Sequence, residues 1–265
     1  MKSIEEIESW AKSIEEDPCD ILYVFLSREY GEIGKYTEAI KSCDIAIKLN
    51  SDSSLAYYHR GKFNLEIAKY TEAMTDCDKA IKLSPDFCPT YFTRGNIYSK
   101  IHKYTEAISD YNKVIELNAA DVSNEYPTYC NRGIAYYNLG KYTKAIEDYN
   151  KAIEINPDFA FAYFVRGKVY ARLLDENIKS EGLKIDNNSA YTDYNTCLYL
   201  LSIANKKQEQ KIDISTLISF FQPYPQTILT ISEYLNTNIE TFLSLSGKLE
   251  EAQQSIVPFL RKASK

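Results

Sequence analysis

Glycine and proline are scarce in this chain, at 9 and 8 of 265 residues. An all-β protein with many tight turns needs more of both. A basic excess is missing as well. The 31 Lys and Arg face 37 Asp and Glu, for a formal net charge of −6, where a nucleic-acid binder should be basic. No stretch approaches the ~20 apolar residues that cross a bilayer. The richest, 212–235, is broken by Asp213, Gln222, Pro223, Pro225 and Glu233. The first ten residues carry three glutamates and no apolar run, so no secretory leader is expected.

Motifs of chemistry are lacking too. There is no glycine-rich phosphate loop, GxSxG, HExxH or kinase signature. The two histidines, His59 and His102, lie in different parts of the chain. Neither is spaced with Cys19, Cys43, Cys77, Cys88, Cys130 or Cys197 as a zinc ligand. The sequence therefore predicts no catalytic residue, no metal and no cofactor. Free thiols suit a reducing cytosol, and a cytoplasmic protein is expected. Export without a leader would leave the same sequence.

Periodicity is what the chain does have. KYTEA occurs at Lys35–Ala39, Lys69–Ala73 and Lys103–Ala107, and KYTKA at Lys141–Ala145. A second string, x-Arg-Gly, ends at Gly61, Gly95, Gly133 and Gly167. Apolar residues within each period fall at steps of 3 and 4, which puts them on one stripe of each of two helices. Gly34 and Gly140 mark the turn between the two, and Pro85 and Pro157 stop the second. A mid-helix glycine costs about 1 kcal/mol relative to alanine. Four in register predict close helix approach, with Ala39, Ala73, Ala107, Ala145 and Ala190 as the facing small residues.

Tyrosine is abundant, and 16 of the 23 fall in four columns of this pattern, so packing explains them better than a stacking surface. Arg60, Arg94, Arg132 and Arg166 precede the glycines, and Asp76, Asp110, Asp148 and Asp193 lie on the matching second helices. The first period has Leu26 and Ser42 instead. Joint loss predicts an Arg–Asp ladder that sets helix-pair angles.

These motifs resemble the tetratricopeptide repeat family. The resemblance implies an all-α, right-handed superhelical solenoid of antiparallel helix pairs. Five units are expected, at 20–53, 54–87, 88–121, 126–159 and 160–204, the last with a long insertion near 175–188. Residues 1–19, with Ile4, Ile7, Trp10, Ala11 and Ile14 on one stripe, should form an N-terminal capping helix. Residues 205–265 should form a C-terminal helical segment. Its heptads across 226–260 could dock on the fifth unit or make a homodimer.

In such a solenoid the first helices line a concave face. The expected lining is Ile21, Val24, Arg28 and Gly31, then Leu55, Tyr58, Lys62 and Leu65, then Pro89, Phe92, Asn96 and Ser99. Pro127, Cys130, Ile134 and Tyr137 follow, then Phe161, Phe164, Lys168 and Ala171. Phe25, His59, Thr93, Asn131 and Val165 border it. The partner-binding candidates are Phe25, Arg28, Tyr58, His59, Lys62, Phe92, Asn96, Asn131, Ile134, Phe164 and Lys168. Some family members clamp a chaperone's acidic C-terminus here with Lys, Asn and Arg. In this chain Val24, Tyr58 and Phe92 interrupt that set, so the clamp is incomplete and that ligand is not expected. The implied function is a non-enzymatic adaptor or scaffold that binds a peptide segment or helix of another protein. The alternatives are a self-assembling protein, an enzyme or an enzyme's regulatory subunit, and an effector acting in a foreign cell. No nucleic acid and no membrane are expected as partners.

Overall fold

The computed structural model describes residues 4–16, 18–118 and 125–175, with 189, 190, 192, 193, 196, 197 and 200. The proposed heptads of 226–260 and the insertion within the fifth unit lie outside the described residues. Ten α-helices and no strand occur among those described. They are α1 (Ile4–Glu16), α2 (Asp20–Glu32), α3 (Tyr36–Leu49), α4 (Ser54–Glu66), α5 (Tyr70–Leu83), α6 (Cys88–Lys100), α7 (Tyr104–Leu117), α8 (Tyr126–Asn138), α9 (Tyr142–Ile155) and α10 (Ala160–Asp175). The chain divides into two compact units, Met1–Ala135 and Tyr136–Lys265, with the division inside α8.

Each KYTEA string is a helix start. The helix begins at the tyrosine, directly after Lys35, Lys69 or Lys103. The glutamate then stands in the first turn, where a negative charge complements the helix dipole. The turn before it closes the same way each time. Lys35, Lys69, Lys103 and Lys141 donate their backbone N–H to Tyr30, Asn64, Tyr98 and Tyr136, at 2.8–2.9 Å. That bond requires the preceding residue to turn left-handed. Gly34 does so at φ +74° and Gly140 at +71°. Ala68 at +59° and His102 at +61° take the same conformation without glycine's freedom.

In the first unit α2 packs on α3, α4 on α5 and α6 on α7, and α2 also meets α4, and α4 meets α6. The alanine columns form the seam. Ala39, Ala46, Ala73, Ala80 and Ala107 are all at most 1% exposed. The glycines work in two ways. A Cβ on Gly61 would lie 3.2 Å from the Ala73 carbonyl oxygen and 3.3 Å from the Asp76 Cβ, which is close helix approach. A Cβ on Gly95 would instead meet the Tyr111 ring at 2.7 Å. That glycine seats an aromatic ring.

The α1 helix packs on α2. It buries Ile7 and Ile14 against the core around Tyr23, Leu26 and Ala39, with Trp10 and Ala11 partly covered. Ile4, expected on the same stripe, is 47% exposed. In the second unit α9 packs on α10, and Ala145, Ile146, Tyr149, Ala152, Ala162 and Val169 are buried.

Candidate partner-binding face

The arginines fix the helices that carry the face. Arg60 on α4 grips Asp76 on α5 with two bonds, Nε to Oδ2 at 2.9 Å and Nη2 to Oδ1 at 2.6 Å. Arg94 holds Asp110 in the same way at 2.8 Å for each bond, and Arg166 holds Asp193 at 2.8 and 2.6 Å. Asp76, Asp110 and Asp193 are buried. The fork geometry suits a carboxylate, which a lysine could not match. Burial pushes the Asp193 carboxyl above its ordinary value, and Arg166 opposes that rise.

Each arginine has a third arm that the periodicity alone did not reveal. Arg60 Nη1 reaches Asp44 on α3 at 2.6 Å, and Arg94 Nη1 reaches Asp78 on α5 at 2.7 Å. Arg132 reaches Asn112 at 2.6 Å and Arg166 reaches Asn150 at 2.5 Å. A column of Asp, Asp, Asn, Asn at the recurring spacing was the available signal. The guanidiniums also lie 5.4–5.6 Å from the centroids of Tyr57, Tyr91, Tyr129 and Tyr163. That assigns this tyrosine column to cation–π support.

The first helices then present their side chains. On α2, Phe25 is 46% exposed, with the exposed Arg28 over its ring at 6.0 Å. On α4, Tyr58 is half-buried and stands edge-on to Phe87 at 5.1 Å. His59 lies between Tyr58 at 4.9 Å and Phe63 at 6.0 Å. Burial pushes the imidazole down to about 4, with Lys62 and Arg28 adding to the effect. The ring is therefore neutral near pH 7, and its Nδ1 is buried with no hydrogen-bond partner. Lys62 is exposed one turn further on.

On α6, Phe92 packs against Tyr111 at 6.1 Å. The Tyr111 hydroxyl donates to Asn96 Oδ1 at 2.8 Å, and Asn131 Nδ2 on α8 donates to the same oxygen at 3.0 Å. Asn96 is thus oriented by its carbonyl, and its own side-chain N–H groups donate to none of the described residues. Tyr111 is one of the 16 tyrosines that fall in the packing columns of the sequence pattern, and it is 1% exposed. Its role in aiming Asn96, and Phe87 behind Tyr58, escaped the sequence reading.

Not every expected residue is on the surface. Val24 at 5% and Cys130 at 1% are buried in the column that also holds Tyr58 and Phe92. Their column lies deep between neighbouring helices, and the longer rings of Tyr58 and Phe92 rise out of it. Ile134 is half-buried. In the second unit Phe164 is 5% exposed, stacked near the 43% exposed Phe161 at 6.2 Å. Packing there covers the later ring and leaves the earlier one open. Lys168 is half-buried over Tyr137 at 5.4 Å. Among the described residues no group of His, Cys, Asp and Glu could hold a metal ion. No helix among them is long and apolar enough to cross a membrane.

Tetratricopeptide repeat profiles match residues 26–86 in one case and 89–120 with 126–159 in another. No curated protein sequence matches the chain. Several solved structures are similar in fold. "Crystal structure of MamA" is 22% identical with a TM-score of 0.56, over 68% of this chain and 96% of that one. "Crystal structure of YrrB: a TPR protein with an unusual peptide-binding site" is 22% identical with a TM-score of 0.54, over 73% and 93%. "Crystal structure of APC/C hetero-tetramer Cut9-Hcn1" gives a TM-score of 0.62 at 18% identity, over 74% of this chain and 36% of that one.

Proposed function

Since the chain belongs to the tetratricopeptide repeat family, whose members generally bind other proteins, we propose that α2, α4, α6 and the start of α8 hold an extended segment of a partner protein. The protein would then work as a non-catalytic adaptor. One observation carries this reading: the Asn96–Asn131 amide pair, held by Tyr111 with Phe92 packed on it, while the half-buried Tyr58 stands on the neighbouring α4. Amides aimed by their own hydrogen bonds can pair with a peptide backbone at little ordering cost, and rings beside them take its side chains.

The test compares partners captured from a lysate of the source cells by wild type and by the Tyr58→Ala/Phe92→Ala/Asn131→Ala variant. A partner captured only by wild type supports the reading, once circular dichroism shows the variant equally folded. Capture of the same partners by both proteins would move the binding surface elsewhere.

A further inference from the structure

The face carries a charge asymmetry that its packing does not require. Its positions in the first unit are four each on α2, α4 and α6, and three on α8. None is Asp or Glu, although the chain has 37 acidic residues among 265. Two are cations, Arg28 and Lys62, both exposed. Arg28 lies over the Phe25 ring, and neither cation has an acidic partner among the described residues. The contrast with Arg60 and Arg94 is sharp, since those are each saturated by two carboxylates. Both free cations act on His59 between them, so they share one locality on the face.

Apolar side chains flank them. Ile21 at 57% and Phe25 at 46% stand on α2, and Leu55 at 45% stands on α4. Arg28 follows Ile21, and Lys62 follows Leu55, by two helical turns, or about 10 Å along each helix. The two helices touch, so the cations repeat across the face at roughly the 8–10 Å of packed helix axes. Carboxylates on alternate residues of an extended chain lie about 7 Å apart on one side, within reach of a flexible Arg and Lys.

We infer that this face selects an internal segment of a partner protein that carries two side-chain carboxylates on alternate residues next to a large apolar residue. The carboxylates pair with Arg28 and Lys62, and the apolar residue covers Ile21, Phe25 and Leu55. This rests on the peptide-binding reading above and specifies the ligand's chemistry. It needs no free C-terminus. An RNA strand would meet the same two cations, but the net charge of −6 opposes it.

The experiment measures fluorescence anisotropy of the full chain with three labelled ten-residue peptides that are blocked at both ends. All contain Leu and Phe, and they differ only in Glu-x-Glu, Gln-x-Gln or Lys-x-Lys. Wild type should bind the Glu peptide about tenfold more tightly than the Gln peptide. That preference should shrink several-fold between about 50 and 500 mM salt. Arg28→Gln/Lys62→Gln alters two exposed side chains and should erase the preference while keeping the fold. Equal binding of the Glu and Gln peptides, a preference that survives in the double variant, or RNA that displaces the Glu peptide would each overturn the inference. The Tyr58→Ala/Phe92→Ala/Asn131→Ala variant separates the two readings. If it loses Gln and Glu peptides alike, and wild type bound both equally, the groove stands and the acidic preference falls. If no peptide binds wild type, or the triple variant binds them all normally, the groove reading falls and takes this inference with it.

Discussion

The first helix pair, α2 with α3, and the second, α4 with α5, share a backbone plan but hold it together differently. Leu26 and Ser42 occupy the first pair where Arg60 and Asp76 occupy the second. Leu26 is 3% and Ser42 4% exposed, and the serine hydroxyl satisfies itself on the Glu38 carbonyl at 3.0 Å. An apolar contact thus fills the place of a buried ion pair. Besides its cation–π contact with Tyr57, the ionic version adds the arm from Arg60 back to Asp44 on the preceding pair. The first pair has no such neighbour behind it, and α1 covers it instead. The arginine is there to join pairs; leucine suffices within one.

Transplanting first-pair residues into the second pair breaks or sharpens that contrast. The largest effect is expected at the ion pair. Arg60→Leu strands Asp76, which is 4% exposed, and should cost about 3–5 kcal/mol in urea denaturation. Arg60→Leu/Asp76→Ser removes both charges and should recover most of that loss. A double variant as unstable as the single one would show that the ion pair itself, rather than the stranded charge, holds the helices.

Next comes His59, which stands where the first pair has Phe25. Its folded value of about 4 lies below the ordinary 6.5, so the unfolded chain takes up the proton first. Its contribution is complete above pH 6.5 and is lost as pH falls toward 4, at most about 3 kcal/mol. His59→Phe should flatten the stability profile between pH 6.5 and 4. An unchanged slope would place the acid sensitivity in another group.

The smallest effect is at the turn. Ala68 holds at φ +59° the position that Gly34 fills in the first pair. Ala68→Gly should stabilise by about 1 kcal/mol, read as a rise in Tm. No rise would mean that the alanine methyl has contacts that offset its strain.

Much of this architecture was legible in the residues. The KYTEA strings mark helix starts, the alanine columns mark the buried seam, and the joint loss of Arg and Asp in one period foretold their pairing. Periodicity assigns a residue to a face but does not say how deep its column lies. Hence Val24, Cys130 and Phe164 were expected on an open surface and are covered. Nor does it show which ring a glycine admits. Gly31 accommodates Phe63, where an added Cβ would lie 2.3 Å from Cε1, and nothing in the spacing of Gly31 announces that. The site was legible as a set of positions, while the aiming of Asn96 by Tyr111 required coordinates.

The third arm of each arginine has one more consequence. Its acceptor is Asp44, Asp78, Asn112 or Asn150, so the same guanidinium arm is met by a carboxylate oxygen in two copies and by an amide oxygen in two. The second, third and fourth copies therefore each carry a plug, Arg60, Arg94 or Arg132, and a socket for the next one, Asp78, Asn112 or Asn150. A gene that duplicates or deletes one whole copy yields ends that still fit, so length can change in evolution without rewriting the junctions.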